Sequence, residues 1–418
     1  MSPKSNTDVL IIGGGIIGAA CADELSQRGA RVTVIDKGEI GHGCSYGNAG
    51  WITPCFALPL PMPGMFLKAM KWLTDADSPL YIKPRLSWSL ARWLLRFLRS
   101  MNTAQMHRSV AALTELSKFS LQAYARLDAE RPKEFRFQQH GLLMVAQTPA
   151  GLNEARLEMQ LVAQHGIPGR ELDAEAVRAL EPAITGTTIC GGVFFPDEAH
   201  VEPLATVEAL IQRARTHGAE IKPRTEVFEL SRSGRRIDGV RTTRGWIHAE
   251  QIVLATGAWS PQFAATLGLR IPVLSGKGYA IIVEPLSPSP SIPCMLIEKK
   301  VAVTPREKSV RLSGTLELVD IDEAITTRRV DALMAGARQY LNLPAEPQII
   351  EVWRGLRPCT PDGMPIIGRP NSLDNVIIAT GHQMLGLQTA PATGRLVADL
   401  ATGGIPSFDP TPFRTDRF

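Results

Sequence analysis

The stretch DVLIIGGGIIGAACADELSQRGARVTVID, residues 8–36, decides how the rest of the chain is read. DVLII has the apolar run of a buried strand and leads straight into a glycine turn. AACADELSQRG has helical periodicity, with Gly29 placed as its C-terminal stop, and RVTVID predicts a second strand. Gly13, Gly15 and Gly18 form G-x-G-x-x-G between that strand and that helix. The first glycine permits the tight turn, the second lets a diphosphate approach the backbone, and the third lets helix pack on strand. The diphosphate then meets the free N–H groups at the positive end of the helix. Asp36 ends the second strand, placed to accept hydrogen bonds from an adenosine ribose. A glycine-rich turn in an unrelated α/β protein is the plainer alternative.

Working outward, the 418 residues are 44% apolar and 21% charged, enough for a large core in one two-domain enzyme. The formal charge of +4 is spread along the chain without Lys/Arg runs, which argues against a nucleic-acid partner. Cys21, Cys44, Cys55, Cys190, Cys294 and Cys359 show neither CxxC nor Cys/His spacing. No disulfide framework and no metal site is expected, and a reducing, cytoplasmic setting fits. The apolar run from Val9 is broken by GGG and then by Asp23 and Glu24, so neither a signal peptide nor a membrane span is expected there.

Proline-rich PCFALPLPMPG (54–64) predicts neither helix nor central strand, and FLKAMKWL and SWSLARWLLRFLRS after it are helical in period. FRFQQHGLLMVAQ (135–147) reads as a hairpin, PLATVEALIQRARTHG as a helix, and residues 271–320 as an antiparallel sheet. A last helix is expected in TAPATGRLVADLATGG, with its start near Ala390 and Pro391 and glycines at its stop. The fold class expected is α/β: a Rossmann-like domain from residues 1–53, 200–268 and 353–418, and a smaller domain with an antiparallel sheet from 54–199 and 269–352. IVLATGAWS (252–260) and VIIATGHQMLG (376–386) carry no second G-x-G-x-x-G, so one dinucleotide is bound, once.

Five segments together resemble the D-amino-acid oxidase superfamily of flavoenzymes, which includes glycine oxidase, sarcosine oxidase and bacterial D-amino-acid dehydrogenase. They are residues 9–38, CSYGNAGWITP, DEAHVEP, IVLATGAWS, and WRGLRPCTPDGMPIIG with ATGH after it. The S-x-x-NAG run (Ser45, Asn48, Ala49, Gly50) and MFLKAMKWL are most like D-amino-acid dehydrogenase, whereas DEAHVEP is more like glycine oxidase. The resemblance implies FAD, with Ile16 and Ile17 under the diphosphate and Asp36 and Lys37 at the adenosine. It further implies that Ser45, Asn48, Ala49, Gly50 and Trp51 run beside the flavin, and that Val227 meets the adenine. Gly257 would mark a second flavin-contacting turn, and the run from Gly381 to Gln388, with Met384, Leu385, Gly386 and Leu387 in it, would wrap the pyrimidine end. The cysteine of a covalent sarcosine-oxidase flavin aligns nearer Gly355 than Cys359, so the FAD is expected to be non-covalent.

Three residues are the catalytic candidates. Arg357, in G-x-R-P, resembles the arginine that binds the substrate α-carboxylate, for which a planar guanidinium fork is suited; the alternative is an ion pair with Asp362. Tyr279, in GKGYA, either donates a second hydrogen bond to that carboxylate or packs its ring on the sheet. His382 either touches flavin or substrate or is a satisfied loop histidine, and His200 is expected to hold a turn. Arg85, Arg92, Arg96 and Arg99 share a helical stripe beside Trp88, Trp93, Leu94, Phe97 and Leu98. Such a helix lies either on an anionic membrane, at the inner face of the cell membrane, or against the core.

The resemblance implies oxidative deamination of a small D-amino or secondary amino acid, of the D-alanine or D-proline/hydroxyproline type. Hydride passes to flavin N5, and the electrons pass on to a quinone or protein acceptor. A glycine- or sarcosine-type oxidase using oxygen, and a flavin subunit of a multi-subunit hydroxyproline dehydrogenase, are the alternatives.

Overall fold

The computed structural model describes residues 7–64, 80–82 and 87–418. FLKAMKWL and Arg85 lie outside the described residues.

The strand Thr7–Ile12, the helix Ile16–Gln27 and the strand Val32–Ile35 form as expected, and Gly29 (φ +83°) stops the helix. They nucleate a six-stranded sheet in the order Ile366–Gly368, Val376–Thr380, Ala249–Leu254, Thr7–Ile12, Val32–Ile35, Glu220–Lys222. All pairings are parallel except the edge pair Ile366–Gly368 with Val376–Thr380. Its central strands read as nearly unbroken apolar runs because both faces are covered. The helices Ile16–Gln27, Pro203–Thr216 and Gly386–Thr402 bury their apolar stripes in one core cluster. The opposite face meets the small sheet of Val227–Ser233, Arg236–Thr242 and Gly245–Ile247. Thr7–Ile12 is the strand from which the chain departs to both sides, and such a switch point opens a crevice at the carboxyl ends of the strands.

The second sheet has nine strands among the described residues; near one edge of it Leu274–Val283 pairs antiparallel with the edge strand Ile349–Cys359 and with Ser309–Val319. Ile349–Cys359 is hydrogen-bonded into this sheet along its length, so the chain crosses to the first sheet after Cys359 rather than at Trp353. Residues 135–147 do not form a hairpin. Leu142–Ala146 pairs antiparallel with Gly191–Phe195 and parallel with Cys294–Leu296, both far along the chain.

The last helix also departs from expectation. It begins at Gly386, and Pro391 lies inside it. Proline removes the N–H that would reach the Leu387 carbonyl. The hydroxyl of Tyr124, on the helix Thr103–Glu130, donates to that carbonyl at 2.9 Å instead. Ser120 Oγ, on the same helix, accepts from the Ala392 N–H at 3.2 Å.

Candidate functional site: a dinucleotide cavity beside a buried arginine

A cavity of about 500 Å³ opens at the carboxyl ends of the parallel strands. Gly13, at φ +110°, makes the turn where a Cβ would come within 2.4 Å of the Ala255 carbonyl oxygen. Gly15, Ile16 and Ile17 line the cavity at the helix start, where Gly15 offers no side-chain cap and first-turn N–H groups lack intrahelical acceptors. The Ser45 hydroxyl accepts from the Ile16 N–H at 2.9 Å, which leaves its own proton free to donate. Gly18 packs against the turn itself, a Cβ there falling 1.9 Å from the Gly13 oxygen.

One end of the cavity is formed by Asp36, Lys37 and Val227. The Asp36 carboxylate accepts from the N–H groups of Gly14 (2.7 Å) and Gly38 (2.8 Å), so it fixes the turn while keeping lone pairs for a further donor. Lys37 Nζ sits 4.2 Å over the Trp259 ring, a cation–π contact. Gly257 lines the wall, pinned by a hydroxyl chain in which Ser260 donates to Thr380 (2.8 Å) and Thr380 to the Gly257 carbonyl (3.1 Å). At the other end lie His382, Gln383, Gly386 and Leu387.

Asn48 lines the cavity, but Ala49, Gly50 and Trp51 do not, and Trp51 starts a short strand paired with Ala199–His200. Thr304 Oγ1 donates to the Ala49 carbonyl and accepts from Trp51 Nε1, both at 2.8 Å. Gly50 N–H is held by Asn48 Oδ1 at 2.9 Å. Gly381, at φ +80°, and Leu385 lie behind the wall, and Met384 is 45% exposed. Gln388 is a structural joint: its Oε1 accepts from Thr53 and its Nε2 donates to Ser117.

Arg357 is half-buried, and burial holds its guanidinium below the usual value. Its Nη1 donates to the Thr315 carbonyl at 2.5 Å, and no carboxylate pairs with it among the described residues. Its charge reaches the thiol of Cys44, which lines the cavity. Thr315 holds φ +66°, rare for a β-branched residue, where the register of Ser309–Val319 shifts by a bulge.

Tyr279 is not beside Arg357. Arg357 pairs with Gly276, and successive residues alternate faces, so Tyr279 projects from the opposite face. There its hydroxyl donates to Glu317 Oε2 at 3.1 Å and accepts from the Thr326 N–H. Buried Lys277 joins the same polar group through Asp322 (2.9 Å) and the Ala324 carbonyl. His382 reaches the cavity wall but is tied down: its Nε2 is 3.0 Å from Thr393 Oγ1, and burial pushes its pKa down to about 3, so it is neutral. His200 is buried in backbone pairing with Trp51 and Gln138, away from the cavity.

Gln383 lies in the run from Gly381 to Gln388 expected at the pyrimidine end, but sequence reasoning gave it no role of its own. It is 7% exposed, holds φ +50°, lines the cavity, and its Nε2 has no hydrogen-bond partner. A buried donor without an acceptor marks a place where something else binds. The cavity thus carries a carboxylate at one end, an uncapped helix start in the middle, and an orphan donor beside a second helix start, Gly386, at the other. A ribose, a diphosphate and the polar edge of an aromatic ring system fit these groups in that order.

The family profile of FAD-dependent oxidoreductases, DAO, matches residues 8–400. The chain belongs to this family. A D-amino acid dehydrogenase of Bradyrhizobium diazoefficiens is 31% identical over 415 residues, covering 98% of each chain. One of Methylobacterium nodulans is 32% identical over 405 residues, covering 95% of this chain and 96% of the other. Among solved structures, L-proline dehydrogenase from P. horikoshii superimposes with a TM-score of 0.80 at 22% identity, covering 99% of this chain and 98% of that one. Glycine oxidase from Geobacillus kaustophilus gives 0.79 at 24% identity, covering 99% of both. These two share the fold: a Rossmann-like FAD domain joined to a second sheet. The chain is an FAD-dependent oxidoreductase.

Proposed function

We propose that this oxidoreductase oxidises a small D-amino acid or secondary amino acid, of the D-alanine or D-proline type, at its α-carbon. One observation carries the reading: Arg357, a half-buried guanidinium without a carboxylate partner among the described residues, stands beside the cofactor cavity. Bound FAD supplies the hydride acceptor. Arg357 takes the substrate carboxylate in a bidentate grip and fixes the α-carbon in reach. The Thr315 carbonyl holds one corner of the fork, leaving its other N–H groups for substrate. Neutral His382, spent on Thr393, is no strong base, so the amine must bind unprotonated and positioning carries the catalysis. Anaerobic bleaching of the flavin against D-alanine, D-proline, glycine and sarcosine tests this; failure of all four to bleach it would reject the reading.

The acceptor in this proposal is a quinone or redox protein, supported by relatives named dehydrogenases at about 30% identity. No helix among the described residues is long and apolar enough to cross a membrane. The helix Trp88–Ser100 buries Leu90 and Trp93 and turns Trp88 (84% exposed), Arg92, Leu95 and Arg99 outward, a face suited to the inner surface of the cell membrane. Arg96 is not part of it, since its guanidinium lies over the Phe418 ring. Replacing Arg92 and Arg99 by glutamate should shift the enzyme from the membrane pellet to the supernatant. Unchanged partitioning would discard the membrane contact.

A further inference from the structure

Two glycines face each other on neighbouring strands of the nine-stranded sheet, Gly278 and Gly355. Arg357 and Trp353 flank Gly355 at two-residue steps, so all three share one face. A Cβ on Gly278 would fall 2.3 Å from Cζ and both terminal nitrogens of Arg357. A Cβ on Gly355 would fall 1.9 Å from Cη2 of Trp353. Guanidinium and indole therefore lie down side by side on a floor that has no side chains of its own. The indole is also closed in from above. A Cβ on Gly47 would fall 1.9 Å from its Cε3, and Gly47 sits between Ser45 and Asn48 of the cavity wall.

We propose that Trp353 sets the size limit of the substrate side chain. This rests on Arg357 being the carboxylate anchor. A carboxylate held on that guanidinium places its α-carbon next to the indole, and a substituent directed along the strand toward residue 353 meets the ring. Held between Gly47 and Gly355, the ring is closely approached on both sides, and that packing resists its displacement. The accepted class is therefore glycine-, alanine- or proline-sized, and a benzyl side chain is excluded.

The test compares wild type, Trp353→Ala, Trp353→Leu and Arg357→Ala by dye-linked kcat/KM for D-alanine and D-phenylalanine. Wild type should favour D-alanine. In Trp353→Ala the phenylalanine-to-alanine ratio should rise at least about tenfold, through a lower KM for D-phenylalanine, with Trp353→Leu between. Phenylacetate, which cannot be turned over, should perturb the flavin spectrum at lower concentration in both Trp353 variants than in wild type. A ratio and a phenylacetate affinity unchanged in both variants, while Arg357→Ala loses both substrates, would overturn the role of Trp353 and leave the anchor standing. A wild type that already prefers D-phenylalanine would also overturn it. Full activity in Arg357→Ala would remove the anchor and the size limit together.

Discussion

Asp362 accepts two hydrogen bonds from Arg417, Nε to Oδ2 at 2.7 Å and Nη2 to Oδ1 at 3.2 Å, and so is not the partner of Arg357. The nearest acid in sequence is already satisfied, and the guanidinium two residues before Cys359 is left for a ligand. Arg357→Ala should lower kcat/KM for every amino-acid substrate by roughly 30- to several-thousand-fold, as truncation of one partner in a desolvated charge pair costs about 2–5 kcal/mol. The flavin spectrum and Tm should stay as in wild type, and lysine should recover a small part of the loss. An alanine variant that sheds FAD yet turns over normally would make Arg357 a structural residue.

Asp36 has two tasks, holding the Gly14 and Gly38 amides and facing the cavity. Asp36→Ala should weaken FAD binding by about 1.5–3 kcal/mol, the usual range for a hydrogen bond to a charged group. Asp36→Asn, which keeps one acceptor, should lose less. Titration of the apoproteins with FAD measures this, and equal affinity in all three would show that the carboxylate does not touch the nucleotide.

Gln383 makes an opposite prediction for the empty and loaded protein. Its buried Nε2 is unpartnered, a desolvation penalty that FAD is expected to relieve. Gln383→Leu should therefore raise the Tm of the apoprotein and reduce the additional Tm gained on adding FAD. A variant that lowers Tm equally in both forms would show that the amide has only a packing role.

Burial raises the Glu198 carboxyl to about pKa 8, while its Oε1 accepts from the Cys55 N–H at 3.0 Å. Between the ordinary carboxylate range and that value, the folded chain holds a proton that the unfolded chain releases. Stability from this group is thus full at low pH and lost as pH rises through about 8. Glu198→Gln keeps the acceptor and removes the titration. Its urea midpoint relative to wild type should improve from about pH 5 to about pH 8 and level off above it. Parallel profiles would mean that Glu198 titrates normally.

The nucleotide-binding half was legible because its signals are local. A strand, a glycine turn, a helix and an acid lie within residues 8–36, and each follows from periodicity and backbone sterics. Arg357 was marked out by the G-x-R-P run that carries the resemblance, since Glu351 and Arg354 share its strand and local charge alone does not single it out. The face on which Tyr279 lies was not legible. It depends on the register between Leu274–Val283 and Ile349–Cys359, and a shift of one residue reverses every side chain. The pairing of Leu142–Ala146 with Gly191–Phe195 is likewise a long-range choice that leaves no local mark. Pro391 misled because proline ordinarily starts a helix; here Tyr124, far back in the chain, replaces the hydrogen bond it deletes. Within the run from Gly381 to Gln388, nothing in the sequence singled out Gln383, because an unmet donor exists only once burial is known.

The cavity draws its walls from Ile12 through Leu387, and its far end is the start of the helix Gly386–Thr402, docked on Tyr124 and Ser120. During synthesis the glycine turn emerges early, yet the pocket it belongs to stays open until nearly the whole chain has left the ribosome. A nascent chain stalled before residue 386 therefore lacks both the far wall of the pocket and the helix Gly386–Thr402, which covers part of one face of the first sheet.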